Sequence, residues 1–102
     1  MIQQVNEPYQ LKLYIAGRTP RSLLAIDNFK TLCQGRLQGR CIAEIIDILE
    51  DPKRARNAQI VATPTLIKQS PGMLKRIVGT LSETDKVLTS LDLKPDREEK
   101  SN

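Results

Sequence analysis

The chain has 102 residues, room for one domain, and carries 16 basic against 12 acidic residues for a net charge of +4. It contains no His, which excludes Ser-His and Cys-His nucleophile pairs, imidazole acid/base chemistry and the commonest metal ligand. Two Cys alone do not make a zinc site, and three aromatic residues are too few to stack bases along a basic stripe, so neither a metal nor a nucleic-acid partner is expected.

Leu, Ile, Val and the single Phe number 28, enough for an aliphatic core. The opening MIQQVNEPYQ lacks the charged and apolar regions of a signal peptide, and no apolar run approaches the length of a membrane span. A cytoplasmic protein with reduced thiols is expected, and Cys33 and Cys41, both among apolar neighbours, read as packed structural residues.

Residues 1–8 read as an extension before a single domain over 9–93. Leu11 to Ala16 is an apolar strand closed by Gly17. Thr19-Pro20 then reads as an N-cap with proline at the first helical position, followed by an apolar stripe of Leu23, Ile26, Phe29, Cys33 and Leu37, with Gly35 and Gly39 as stops. Cys41 to Leu49 is more continuously apolar and predicts a strand covered on both faces. Strand, helix and strand make a right-handed parallel βαβ unit. Asp51-Pro52 opens a helical link of a turn or two over 53–58.

A strand over 60–68, interrupted by Pro64, leads into a Gln69-Ser70-Pro71-Gly72 turn and a return strand over 73–79. Ser82 and Asp85 resemble a capping box for a last helix with Val87, Leu88 and Leu91 inward. From Lys94 the tail KPDREEKSN is wholly polar, with three charges of each sign, and is expected to be disordered.

The order is βαβ, a helical link, then ββα with a proline before the third strand. That is the order of the thioredoxin fold. Where a thioredoxin carries its redox motif, just after the first strand, this chain has Thr19-Pro20-Arg21-Ser22. A hydroxyl oxygen does not form the disulfide that exchange chemistry requires, so a disulfide oxidoreductase is excluded at this position. Cys33 and Cys41 lack the C-x-x-C spacing and lie away from the strand-to-helix turn, which sets a thiol enzyme aside.

Tyr9, Leu11 to Gly17, Thr19-Pro20, Ser22, Ile46 to Leu49, Pro52, Ala62-Thr63-Pro64-Thr65-Leu66, Leu88 and Leu91-Asp92-Leu93 together resemble the KaiB family, over nearly the whole of 9–93. The resemblance implies a non-enzymatic circadian clock component without a cofactor. Its partners would be KaiC, a hexameric ATPase, together with KaiA, in competition with the kinase SasA. It further implies a metamorphic chain, whose tetrameric (or dimeric) ground state has a rearranged second half and whose rare thioredoxin-like monomer binds KaiC.

By the same resemblance Lys68, Lys75 and Arg76 are partner-binding, while Pro64, Pro71, Gly72, Ser90 and Asp92 belong to the fold switch, with Ser90 standing where the family has glycine. Leu24, Glu44 and Gln59 replace other basic positions of the family, and the charge-balanced tail replaces an acidic one. These departures mark a divergent member. The alternative function is a stress-response regulator acting on a KaiC-like ATPase or a histidine kinase.

Overall fold

The computed structural model describes residues 7–95, and over them seven elements run in the expected order. These are β1 (Tyr9–Ile15), α1 (Pro20–Gln34), β2 (Cys41–Asp47), α2 (Pro52–Asn57), β3 (Thr65–Ser70), β4 (Lys75–Val78) and α3 (Thr84–Ser90). The sheet order is β2-β1-β3-β4, with β1 and β2 parallel and the other two pairs antiparallel. This is the thioredoxin-like arrangement.

Both capping predictions for the first half hold. Thr19 Oγ1 accepts the Ser22 amide at 3.1 Å, and Asp51 Oδ1 accepts the Arg54 amide at 3.4 Å, each one residue ahead of a helix-opening proline. The alternation of β1 sorts its side chains onto two faces. Tyr9, Leu11, Leu13 and Ile15 join Leu66 on one face, under Ala25, Ile26, Phe29, Leu32 and Cys33 of α1 and Val87 and Leu88 of α3. Tyr14, Ile46 and Ile67 form the smaller opposite face, covered by Ile48, Ala58 and Ile60.

Four expectations are corrected. Leu23 is exposed, because the stripe that meets the sheet runs through Ser22, Ala25, Ile26, Phe29, Leu32 and Cys33. β2 is not covered on both faces: it is one of the two edge strands, and its Ile42 and Ile45 are exposed. β3 starts at Thr65 instead of Ile60, since Pro64 has no amide for the ladder and Thr65 Oγ1 instead donates to the Ala62 carbonyl at 2.6 Å. Ser82 caps nothing. Glu83 is the N-cap without a side-chain bond, the Ser82 hydroxyl is hydrogen-bonded to that of Thr80 at 2.8 Å, and Asp85 pairs with Arg36 at 3.4 Å.

The last described residues are tied to the first strand. The Lys94 amide donates to Tyr9 Oη at 2.8 Å, and Arg40, whose guanidinium carbon lies 5.6 Å from the Tyr9 ring centre, donates to the Lys94 carbonyl at 2.6 Å. The expected disorder of the tail beyond 95, and most of the N-terminal extension, lie outside the described residues. Among the described residues no helix is long and apolar enough to cross a membrane.

Candidate interaction surface

The C-terminal ends of β1 and β2 meet the entry to β3 at one end of the sheet. Asp47 organises this end: its Oδ1 accepts the Gly17 amide at 2.9 Å and the Leu49 amide at 3.0 Å, tying together the turns that follow β1 and β2. Gly17 has φ +72°, a backbone conformation that favours glycine, and a Cβ there would lie 3.1 Å from the exposed Leu49 Cδ1, which would have to shift slightly. Across from it the Thr63–Pro64 peptide is cis, and the Pro64 carbonyl accepts the Gly79 amide at 2.9 Å.

Thr19 and Ser22 stand where a thioredoxin has its thiols, and their hydroxyls are hydrogen-bonded to each other at 3.1 Å with Ser22 buried. The Thr19 oxygen caps α1, and the Ser22 oxygen accepts from the Thr19 hydroxyl. Leu49 and Val61, 70% and 94% accessible, stand exposed here among the charged Arg18, Arg21 and Glu50, which are exposed as well. Sequence reasoning missed Leu49 and Val61, because a single apolar residue in a loop carries no periodic signal. This end presents two apolar side chains within a charged rim.

The basic residues expected to dock a partner do not form one patch. Lys68 is 2% accessible, in register between Leu11 of β1 and Lys75 of β4, and presents almost no surface. Lys75 and Arg76 are neighbours on a strand and therefore point to opposite faces. Lys75 Nζ is 2.9 Å from Asp92 Oδ2, whereas Arg76 donates to the carbonyls of Ala58 at 3.0 Å and Gln59 at 3.1 Å, clasping the end of α2. Lys75 and Arg76 each have an intramolecular partner in this conformation.

The residues expected to belong to a fold switch fall at both ends of the sheet. Pro64 is buried at the apolar end. Pro71 follows a second cis peptide in the β3–β4 turn, beside Gly72, where φ is +81° and an added Cβ would lie 3.7 Å from Lys68 Nζ. Ser90 ends α3, and Asp92, at φ +56°, takes the left-handed position after it, which aspartate tolerates better than most residues. Gly72, Lys68, Lys75 and Asp92 thus converge at the hairpin end, a grouping that their sequence separation hides.

Two carboxyls lie below the usual carboxylate range. Asp92 is held down by the Lys75 ammonium, with the charges of Lys68 and Lys94 adding to it, and Glu44 by a two-pronged pair with the Arg54 guanidinium at 2.5 and 2.9 Å. A carboxyl more acidic in the folded than in the unfolded chain contributes stability above its unfolded pKa, about 4, and loses it as pH falls through the folded value. Melting temperature should therefore decline on acidification below about pH 4. The decline should be shallow, because both pairs are exposed and screened by salt. Melts of a Glu44→Gln, Asp92→Asn variant should show a flatter acid limb; identical limbs would mean that neither pair contributes.

The KaiB domain family matches residues 12–93. The chain is similar to the circadian clock protein KaiB3 of Synechocystis sp., with 50% identity over 86 residues, 84% of each chain. It is 44% identical over 88 residues to the circadian clock oscillator protein KaiB of Gloeothece citriformis, covering 86% of this chain and 83% of that one. Among solved structures, the N-terminal domain of Synechococcus elongatus SasA superposes with a TM-score of 0.68 at 21% identity, over 92% of both chains. Mitochondrial thioredoxin 3 of Saccharomyces cerevisiae gives 0.68 at 16% identity, over 84% of this chain and 78% of its own. At these identities the two structures speak for the fold alone.

Proposed function

The chain belongs to the KaiB family of circadian clock proteins, and from that premise we propose that it is a non-enzymatic adaptor that docks on a KaiC-like hexameric ATPase and modulates its phosphorylation cycle. The observation that carries this proposal is the state of the sheet's C-terminal end. The Thr19 hydroxyl is taken up in capping α1 and that of Ser22 in bonding to Thr19, while Leu49 and Val61 stand exposed near the Asp47-bonded turn. Such an end recognises a surface and exchanges no disulfide. Lys75, at the hairpin end, and Arg76, on the opposite face, are kept as partner contacts outside this end, and orient the partner more than they hold it. Lys68 acts from within the sheet on the charge around Asp92.

The proposal includes cytoplasmic location, a resting homo-tetramer with a rearranged second half, KaiA as a further partner and competition with a SasA-like kinase. The exposed Ile42 and Ile45 of the β2 edge are apolar surface that self-association would bury. Pro64, Pro71, Gly72, Ser90 and Asp92 all lie beyond the βαβ half, so a change of packing there leaves β1, α1 and β2 intact. Two packings within a few kcal/mol of each other suffice. The second reading is a stress-response regulator without clock function, partnering a KaiC-like ATPase or a histidine kinase.

The test is retention of purified KaiC-like ATPases, in phosphomimetic and unphosphorylated forms, and of a SasA-type kinase on the immobilised chain. Selective retention of an ATPase supports the adaptor. Retention of the kinase alone favours the second reading, and retention of neither overturns both.

A further inference from the structure

Cys33 lies in the last turn of α1 and Cys41 opens β2, with seven residues between them. The intervening turn reverses the chain tightly. The Leu37 amide donates to the Leu32 carbonyl at 3.1 Å and the Gly39 amide to the Cys33 carbonyl at 2.7 Å, with Gln38 and Gly39 at positive φ. This reversal packs Cys41 against the same core cluster that contains Cys33. Each thiol bears on the other's acidity, Cys33 pushed up and Cys41 down, and the adjacent Arg40 guanidinium lowers Cys41 further.

The two sulfurs differ in access as well as acidity. Cys33 is buried and Cys41 is partly exposed, so the more acidic thiol is also the more accessible one. Among the described residues Arg40 Nε is buried without a hydrogen-bond partner, an N–H donor short of an acceptor next in sequence to Cys41. An open cavity of about 290 Å³, lined by Phe29, Lys30, Cys33, Gln34, Ala43 and Ile45, reaches the same corner. All of this lies at the opposite end of the sheet from Thr19 and Ser22.

We propose that Cys33 and Cys41 are an oxidisable dithiol that hydrogen peroxide converts into an intramolecular disulfide. The Cys41 thiolate attacks one peroxide oxygen, the O–O bond breaks, and hydroxide leaves, giving a sulfenic acid on Cys41. The Cys33 sulfur then attacks the Cys41 sulfur. The S–O bond breaks, and the departing hydroxide takes the Cys33 proton as water. Two electrons pass from the sulfurs to the peroxide, and two waters form overall. The product staples the end of α1 to the start of β2. It modifies the adaptor and gives it no oxidoreductase turnover.

The test treats the reduced full-length chain with one equivalent of hydrogen peroxide, blocks free thiols with N-ethylmaleimide and measures intact mass. The expected product is a single chain lighter by about 2 Da that takes up no maleimide and regains two thiols on reduction. Cys33→Ser should stop at a dimedone-reactive sulfenic acid on Cys41, whereas Cys41→Ser should react with peroxide at least about tenfold more slowly. Two maleimide-reactive thiols after peroxide, disulfide-linked pairs of chains, or equal rates in the two variants would overturn the proposal. The wild-type mass decides the matter even where a variant fails to fold. The Cys33→Ser, Cys41→Ser double variant, which resembles the reduced state, should still retain the ATPase.

Discussion

Leu91→Ala is expected to weaken docking on a KaiC-like ATPase by about 30-fold or more. Leu91 is fully buried just past the end of α3, in the core that joins this helix to the sheet. Truncating such a leucine costs about 2–5 kcal/mol, and 2 kcal/mol is already about 30-fold in a population. The cost falls on the thioredoxin-like conformation, because α3 and β4 belong to the half proposed to repack. Apparent affinity scales inversely with the competent fraction, so a shift toward the resting form appears directly as weaker docking. The check is an equilibrium titration of the ATPase with wild type and variant, alongside oligomer size. Unchanged affinity with a lower global stability would mean that both conformations bury Leu91 equally.

Phe29→Ala should act on the other half, and more bluntly. Phe29 is the single phenylalanine, 1% accessible, and lies in α1 over Leu11 and Leu13 of β1. Its truncation should cost about 3–5 kcal/mol. Domains of this size have a total of about 5–15 kcal/mol, so the variant should stand near the edge of folding. The βαβ half is common to both proposed conformations, so oligomer size should hold while the urea midpoint drops sharply. A loss below about 1 kcal/mol would place Phe29 outside the essential core. The pair of variants separates the two halves: Leu91 should change which conformation is populated, and Phe29 whether either persists.

The fold was legible because its signals are local. Thr19-Pro20 and Asp51-Pro52 mark helix starts through capping chemistry that needs no tertiary partner, and the thioredoxin-like order follows from the succession of elements. What failed depends on the third dimension. The exposure of Ile42 and Ile45 comes from the edge position of β2, which a run of apolar residues does not encode. The burial of Lys68 comes from its place between β1 and β4, and the strand period parts Lys75 from Arg76 once the register is known. The pairing of Lys75 with Asp92, and of Cys33 with Cys41 across a turn, likewise required the chain's path.

The decisive measurement is the association rate of the chain with a KaiC-like ATPase as a function of ATPase concentration, followed by fluorescence or interferometry with the oligomeric state of the free chain known. A docking conformation drawn from a resting oligomer predicts a stable complex whose observed rate levels off at high ATPase, at a value set by conversion of the resting form. Leu91→Ala should lower the amplitude at limiting ATPase. Absence of any complex, or a rate that rises linearly without limit from an oligomer that stays intact in the complex, would contradict docking by the thioredoxin-like monomer.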